Sequence, residues 1–317
     1  MPAVDAAAIE AARERIPAAF RGMPQFVSEP LAARHGAPVV VMAETANPIG
    51  CFKGRGTWLA VSELVAGGTV GEREGLVVAS AGNFGQGVAY AARAHGIPLT
   101  VYAATNANPA KVAAMRRLGA EVRLVGEDFD AAREAAATHD RGGAAHLLVD
   151  GEDPWIAIGA GTMAAELTDA IESGDLPKLA ALYVPVGNGA LIGGIGAWFA
   201  DRMPGMRLIG VQAEGAPAMT LSWRERRAIE TPTADTVADG IAARVPVPEA
   251  LELMLRHVDD MVLVSEAEIL DAQRELALAL PFTIETAAAA GWAAASRHGR
   301  AEPIGFVLTG GNVAPTG

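Results

Sequence analysis

The sequence predicts an α/β fold with two lobes, each a mostly parallel sheet flanked by helices. Nine short apolar runs alternate with alanine-rich stretches along most of the 317 residues. Strands that are apolar throughout are typical of parallel sheets covered on both faces. Nine strands are many for a single sheet, so we expect two sheets. Hydrophobic residues make up 51% of the chain and charged residues 20%, which suits a compact globular protein.

The predicted strands are the runs richest in valine, leucine and isoleucine, namely 38–43, 76–80, 98–103, 120–125, 146–150, 182–186, 207–213, 261–264 and 304–309. Helices are predicted over 53–66, 83–95, 108–118, 128–138, 159–173, 190–202, 266–279 and 285–298. The N-terminus contains acidic residues and an amphipathic pattern, which indicates an ordinary first helix rather than a signal peptide. We expect the chain to cross between the lobes near residues 141–145, RGGAA.

Composition argues against several classes of protein. The net charge is -12 and no basic stripe is present, so nucleic acid is not an expected partner. The single cysteine, Cys51, leaves no internal disulfide or multi-cysteine metal site and fits a reducing cytoplasm. Residues 179–200 lack charge over the length of a membrane span. Pro185, Asn188 and several glycines interrupt this stretch, which indicates a strand, a glycine loop and a helix instead of a span.

Three loops follow predicted strands and contain glycine: SAGNFGQG at 80–87, PVGNGALIGG at 185–194 and TGGN at 309–312. Ligands of open α/β sheets bind at the carboxyl ends of strands. The second loop suits phosphate, because its glycines let backbone N–H groups approach an anion at a helix N-terminus. A glycine turn of purely structural use is one alternative. A dinucleotide site is another, because Glu214 follows at about the spacing of a ribose-binding acid, although Gly193 comes one residue late for G-x-G-x-x-G.

Lys53 stands out in a chain with 22 arginines and only three lysines. An exposed surface charge suits the other two, Lys111 and Lys178. Lys53 instead follows Phe52 and precedes two glycines, which predicts a half-buried position at a strand-to-helix turn. Burial favours the neutral amine of a lysine, and a neutral amine is what Schiff-base chemistry requires.

Taken together, these segments resemble the pyridoxal 5'-phosphate enzymes of fold type II, in the serine/threonine dehydratase and serine racemase branch. NPIGCFKGRG resembles the family's Asn-Pro-x-x-Ser-Phe-Lys-x-Arg-Gly segment, and ASAGNFGQG resembles its Ser-x-Gly-Asn-His segment. VPVGNGALIGGI resembles its phosphate loop, TVADGIA at 236–242 a segment lining the pocket, and VLTGGNV the Ser/Thr-Gly-Gly-Asn close. The resemblance runs in order from about residue 25 to the C-terminus.

The resemblance implies a two-lobed fold like that of the tryptophan synthase β subunit. Residues 1–50 and 146–317 would form a large cofactor-binding domain, and residues 51–145 a small domain. It also implies a small-molecule amino-acid substrate, a cytoplasmic enzyme and a homodimer, with neither nucleic acid nor membrane as a partner.

The resemblance also implies a role for each matching position. Lys53 would bond to the aldehyde of the cofactor and then act as the base at the substrate Cα. The cofactor-binding residues would be Lys53, Phe52, Asn83, Gly187, Asn188, Gly189, Ala190, Leu191, Gly240, Glu285 and Thr309. The residues holding the substrate carboxylate would be Ser80, Ala81, Gly82, Asn83 and Phe84. Asn83 would bond the 3'-hydroxyl of the cofactor, and Thr309 its pyridine nitrogen.

These assignments predict a lyase. A hydroxyl at Thr309 cannot stabilise a pyridinium as a carboxylate would, which favours loss of a β-substituent. The expected reaction is therefore β-elimination from L-threonine or L-serine, giving a 2-oxo acid and ammonia. Ala81 replaces the serine that related racemases use as a second acid/base, so we expect weak racemisation. Gln212 and Ala218 replace the metal-binding acids of some relatives, so no metal is expected.

Three residues depart from the family pattern, and three other functions are alternatives to the lyase. Cys51 replaces a serine, Phe84 a histidine, and Asn188 interrupts the glycines of the phosphate loop. Phe84 is expected to make the carboxylate end of the site more apolar. The competing functions are a β-replacing or threonine synthase-like enzyme, an NAD-dependent oxidoreductase using Glu214, and a non-catalytic binding protein.

Overall fold

The computed structural model describes residues 2–71, 75–127, 129–139 and 145–313. Its strands are β1 (Gln25–Val27), β2 (Val39–Ala43), β3 (Leu76–Ala79), β4 (Leu99–Ala103), β5 (Glu121–Leu124), β6 (His146–Leu147), β7 (Ala181–Pro185), β8 (Arg207–Ala213), β9 (Asp260–Val264) and β10 (Ile304–Leu308). They form a six-stranded sheet in the order β1-β2-β10-β7-β8-β9 and a four-stranded sheet in the order β5-β4-β3-β6. Only the edge pair β1 and β2 is antiparallel among these strands.

Helices cover both sheets. They are α1 (Ala6–Ala12), α2 (Glu29–His35), α3 (Lys53–Ala66), α4 (Asn83–His95), α5 (Pro109–Arg117), α6 (Phe129–Ala137), α7 (Pro154–Glu172), α8 (Ala190–Arg202), α9 (Ala218–Glu225), α10 (Pro248–His257), α11 (Glu266–Ala279) and α12 (Thr286–Ala295). None of the described helices is both long and apolar enough to cross a membrane.

The predicted α/β class with two mostly parallel sheets is confirmed, and each of the nine predicted strands is present. The apolar stretch at 179–200 forms β7, a glycine loop and α8, as expected. The sequence pattern missed β1, which is only three residues long, and the helices α2, α9 and α10. The proposed crossing at 141–145 falls mainly on residues 141–144, which lie outside the described residues.

The short strand β6 pairs with β3 of the four-stranded sheet, at His146 and Leu147. The predicted division placed residue 146 onward in the large domain. An apolar run indicates a buried strand but does not say which of two sheets it joins, so the pattern alone could not place these two residues. The division into domains at 51 and 145 stays a prediction.

Close contacts between helices hold the two lobes against each other. The long helix α7 lies against α3 and α8, where glycines face its own glycines. A Cβ added at Gly159 would lie 2.6 Å from the Cα of Gly56, and one added at Gly161 would lie 2.8 Å from the carbonyl oxygen of Gly194. Because backbones touch at these points, α3 and its first residue have little freedom to move.

Candidate active site

Lys53 lies at the carboxyl end of β10. Cys51, two residues before it, forms an isolated bridge with Gly310, and the N–H of Phe52 donates to the carbonyl oxygen of Thr309 at 3.0 Å. Lys53 is then the first residue of α3, and its side chain is 12% exposed. The predicted half-buried position at a strand-to-helix turn is therefore present.

The amine of Lys53 contacts one carboxylate and two aromatic rings. Its Nζ donates to both oxygens of Asp150, at 2.8 Å and 2.6 Å. The centroid of the Phe52 ring lies 5.0 Å from Nζ and that of Phe84 lies 5.7 Å away. Sequence reasoning missed Asp150, because 97 residues separate it from Lys53 and no pattern in its loop marks it.

The loop between β7 and α8 is shaped to hold an anion. Gly189 has φ of +98°, which favours glycine, and a Cβ added there would lie 2.5 Å from the sulfur of Met254. A Cβ added at Gly187 would lie 3.2 Å from the carbonyl oxygen of Gly240. Gly189 itself provides no side-chain cap for α8, so the backbone N–H groups that follow Ala190, with the positive end of the helix dipole, suit an anion.

This loop and Lys53 come together through residues 150 and 151. Gly151 has φ of +93°, and a Cβ added there would lie 3.0 Å from Nδ2 of Asn188. Asp150, which contacts the lysine amine, is therefore next to the residue that packs on the glycine loop. Asn188 also accepts a hydrogen bond from the N–H of Ala190 at 3.0 Å, so its side chain helps to shape the loop that it interrupts. Leu191 is buried in the first turn of α8.

The segment from Ser80 to Phe84 leads into α4, which begins at Asn83. The hydroxyl oxygen of Ser80 accepts from the N–H groups of Gly82 at 3.2 Å and Gly85 at 2.9 Å. Ser80 thus supports the loop, while Ala81 and Gly82 are half-buried and a Cβ added at Gly82 would meet nothing within 4 Å. Phe84 is buried and packs in the apolar core of the four-stranded lobe. The predicted carboxylate site therefore has free space at Gly82, and the ring of Phe84 lies 5.7 Å from the Lys53 nitrogen.

Asn83, Glu285 and Asn312 form a polar network across the two lobes. Asn83 donates to one oxygen of Glu285 at 2.9 Å and accepts from the side chain of Asn312 at 2.9 Å. The N–H of Asn312 donates to the other oxygen of Glu285 at 3.0 Å. Glu285 precedes α12 but makes no capping bond to it. Its carboxylate therefore accepts hydrogen bonds across the interface between the lobes and does not cap the helix.

Lys111 is buried, which contradicts the predicted surface position. Its side chain is 7% exposed, and its Nζ lies 2.6 Å from Asp239 and 3.9 Å from Glu285. Burial raises the pKa of Glu285, although Lys111 and Asn83 oppose this change. Lys111 lies on the same face of α5 as the buried Met115, four residues later. The other lysine, Lys178, is exposed as predicted.

Arg55 anchors the helix that begins with Lys53. Its guanidinium is fully buried and bonds both oxygens of Glu44 at 2.9 Å and both oxygens of Glu166 at 2.8 Å. Burial alone would lower the pKa of Arg55, but the two carboxylates outweigh it and the pKa is raised. This ion triad, which the sequence pattern did not reveal, fixes the first turn of α3 and hence the position of Lys53.

Cys51 and Gln212 have structural roles in this fold. Burial raises the pKa of the Cys51 thiol far above its ordinary value, so the thiol is a poor nucleophile. Gln212 accepts hydrogen bonds from the N–H of Thr220 at 2.7 Å and from its hydroxyl at 2.9 Å. Among the described residues, no three or more His, Cys, Asp or Glu side chains are grouped to hold a metal ion.

The residues present fit pyridoxal phosphate. The carboxyl end of β10 provides a primary amine at Lys53 and a buried threonine at Thr309. The neighbouring strand β7 leads into the glycine loop, whose backbone suits the phosphate. The Phe52 ring lies 5.0 Å from the Lys53 nitrogen, the Gly240 carbonyl lies beside Gly187, and the Glu285 carboxylate lies beside Gly310, near the carboxyl ends of these two strands.

Comparison with known proteins agrees with this geometry. The sequence profile of the family "Pyridoxal-phosphate dependent enzyme" matches residues 17–310. An L-threonine ammonia-lyase from Thermotoga maritima is 36% identical over 88% of this chain and 68% of its own length. One from Geobacter sulfurreducens is 32% identical over 96% of this chain and 75% of its own.

Among solved structures, the threonine deaminase from T.th. superposes with a TM-score of 0.90 at 28% identity. That comparison covers 99% of this chain and 100% of the other. The family profile matches most of the chain, and Lys53 lies near the glycine loop that suits a phosphate. The chain belongs to the pyridoxal-phosphate dependent enzymes, and pyridoxal phosphate is its cofactor.

Proposed function

We propose that this enzyme is an ammonia-lyase that converts L-threonine or L-serine into a 2-oxo acid and ammonia by β-elimination. The observation that carries the proposal is the position of Lys53, whose amine lies beside both the glycine loop and the start of α4. The names of the relatives from Thermotoga maritima and Geobacter sulfurreducens support the same reaction. The family match argues against an NAD-dependent oxidoreductase, because the glycine loop then binds the phosphate of pyridoxal phosphate rather than that of a dinucleotide.

The site divides the work among its residues. When bound, pyridoxal phosphate supplies an electron sink for the charge that develops at the substrate Cα. Backbone N–H groups of Ala81, Asn83 and Phe84, just before and at the start of α4, bind the substrate carboxylate at a helix N-terminus. Lys53 takes the proton from Cα and returns one to the departing β-hydroxyl. Thr309 would offer a hydroxyl to the ring nitrogen of the cofactor, and the loop from Gly187 to Leu191 would hold its phosphate.

Elimination is favoured over racemisation at this site. Racemisation needs a second proton donor on the face opposite Lys53, and the residue proposed for that face is Ala81, which cannot move a proton. Removal of the α-proton therefore leads on to loss of the β-hydroxyl. We also propose a cytoplasmic homodimer, which rests on the family resemblance.

Replacing Lys53 by alanine tests the assignment. The Lys53→Ala enzyme should lose the visible absorbance band of the cofactor and fall at least ~1000-fold in oxo-acid release, because the bonding amine and the base are one group. Both are measured by absorbance, with L-threonine and L-serine as substrates. Lys178→Ala, at an exposed lysine, is the matched control and should behave as the unchanged enzyme. A Lys53→Ala enzyme that keeps full turnover would remove the proposal.

The product distinguishes elimination from β-replacement. The proposed lyase should release 2-oxobutanoate from L-threonine at the same rate with or without an added thiol. Product that accumulates only when a thiol is present, and that contains the thiol, would instead identify a replacing enzyme.

A further inference from the structure

Asp150 is the carboxylate that faces the amine of Lys53. Its two oxygens lie 2.8 Å and 2.6 Å from Nζ. The side chain of Asp150 is 26% exposed and that of Lys53 is 12% exposed. The rings of Phe52 and Phe84 cover other sides of the same nitrogen, at 5.0 Å and 5.7 Å. A carboxylate and the faces of aromatic rings both attract a cationic nitrogen. The Lys53 nitrogen therefore has one anionic and two aromatic neighbours.

The position of Asp150 is fixed by the fold on both sides. The N–H of Leu148 donates to the carbonyl oxygen of Val77 at 3.0 Å, next to the four-stranded sheet. Gly151 packs on Asn188 of the glycine loop, and Asp153 caps α7 through the N–H of Trp155 at 2.9 Å. The carboxylate of Asp150 is thus held between the lysine and the phosphate loop.

The other ionisable groups near the site differ from Asp150 in their surroundings. Glu285 and Lys111 lie within 3.9 Å of each other, and the buried Cys51 thiol has a raised pKa. Glu152, in the same loop as Asp150, is exposed. Within the described part of the chain, Asp150 is the carboxylate that bonds the Lys53 nitrogen.

We propose that Asp150 is a positioning residue for Lys53, an inference that rests on the proposed lyase function. Its carboxylate holds the nitrogen at one place in the site and stabilises it whenever it carries a positive charge. In the elimination, the Cα–H bond breaks and an N–H bond forms at Lys53. The electron pair released at Cα ends in the new Cα=Cβ bond, the β-oxygen leaves with the electrons of its bond to Cβ, and it takes the proton from Lys53. Asp150 neither gives nor takes a proton in this step and lies beside the Lys53 nitrogen while that nitrogen holds the proton.

A spectroscopic test does not require turnover. The visible band of the holoenzyme changes with pH when the nitrogen of Lys53 loses its proton. In Asp150→Asn, the midpoint of that change should move to lower pH by about one unit or more, the size expected for loss of an opposite charge at this distance. Asp150→Ser should give the same direction, so the result does not depend on one variant folding well.

Two controls separate this effect from loss of charge in general. Asp150→Glu keeps the carboxylate, and Glu152→Gln removes a neighbouring charge that has no contact with Lys53. Both midpoints should stay within about 0.3 pH unit of the unchanged enzyme. A midpoint in Asp150→Asn that also stays within that range would overturn the proposal, as would an equal change in Glu152→Gln.

Kinetics give a second readout. Asp150→Asn should lower kcat for oxo-acid release by about tenfold, which is about 1.4 kcal/mol, with KM changed less than about twofold, because the carboxylate contacts Lys53 and not the substrate. A change confined to KM would contradict a role through Lys53. If the unchanged enzyme releases no oxo acid from L-threonine or L-serine, the lyase proposal fails, whereas the spectroscopic midpoint still decides the role of Asp150.

Discussion

Glu285 is a buried carboxylate whose partners come from both lobes. Asn83 belongs to the four-stranded lobe, Asn312 follows β10, and Lys111 lies 3.9 Å away. Burial is the largest influence and raises the pKa of Glu285. An acid whose pKa is raised by folding binds its proton more tightly in the folded state. Its contribution to stability is therefore complete below the ordinary carboxyl range and is lost as the pH rises through the folded pKa.

Glu285→Gln should reveal this dependence. The variant cannot ionise, so its thermal midpoint relative to the unchanged enzyme should improve steadily from pH 5 to pH 8. Taking the difference between the two proteins at each pH cancels the titration of other groups. Circular dichroism at several pH values provides the midpoints. A difference that does not change with pH, or that changes in the opposite direction, would show that the pKa is not raised.

At the residue scale, the sequence predicted the half-buried position of Lys53 correctly and the surface position of Lys111 wrongly. Lys53 has local signals, namely the preceding strand and the flanking glycines. Lys111 lies in an ordinary polar helix, and what buries it is Asp239 and Glu285 of the other lobe. Asp150 was missed on similar grounds. Contacts made only after the lobes come together leave little trace in a single sequence.

At the scale of elements, glycine contacts determine how α7 crosses its neighbours. Gly159 lies against Gly56 of α3, and Gly161 lies against Gly194 of α8. A Cβ at any of these positions would meet backbone atoms, which cannot rotate away as a side chain can. These glycines therefore set the distance of α3 from α7, and with it the position of Lys53.

Gly159→Ala should lower the free energy of unfolding by about 1–3 kcal/mol through overpacking, although alanine is the better helix former by about 1 kcal/mol. Gly299→Ala is the matched control, because a Cβ there meets nothing within 4 Å. The control should stay within about 0.5 kcal/mol of the unchanged protein. Urea unfolding measures both. Equal stability of the two variants would show that the helices can separate at no cost.

Much of the element structure follows from periodicity. The predicted limits of α3, α4, α8 and α11 agree with the structure, because each has a clear start after a strand or at a capping residue such as Ser265. The missed β1 is an edge strand whose three residues, from Gln25 to Val27, are only half-buried. The predicted start of α7, at residue 159, lies five residues after the observed start at Pro154, because the prediction did not use the capping residue Asp153 and the proline that follows it.

At the scale of the whole molecule, polar contacts join the lobes around the active site. Lys111 bonds Asp239, Asn83 bonds Glu285, and Lys53 bonds Asp150. Asp239 is 58% exposed in its side chain, so its pair with Lys111 should contribute less than about 1 kcal/mol. Glu285 is 4% exposed, and a buried carboxylate left without its cation is far more costly.

A double-mutant cycle measures the buried part of this interface. Lys111→Met should lower the free energy of unfolding by about 3 kcal/mol, because the ionised Glu285 then lacks a cation. Lys111→Met combined with Glu285→Gln should cost less than the sum of the two single changes, with a coupling of about 1 kcal/mol or more. Strict additivity in urea unfolding would show that the two groups do not interact.

The order of strands in the larger sheet has a consequence for synthesis of the protein. β10 lies between β2 and β7, so a nascent chain on the ribosome cannot complete this sheet until residues 304–308 have emerged. The smaller sheet uses residues 76–147 and can pair well before that. Thr309 and Gly310, which receive the segment before Lys53, follow directly after this strand. The lysine is therefore made more than 250 residues before the strand that positions it, and vitamin B6 capture should wait until residues 304–310 have been made and paired.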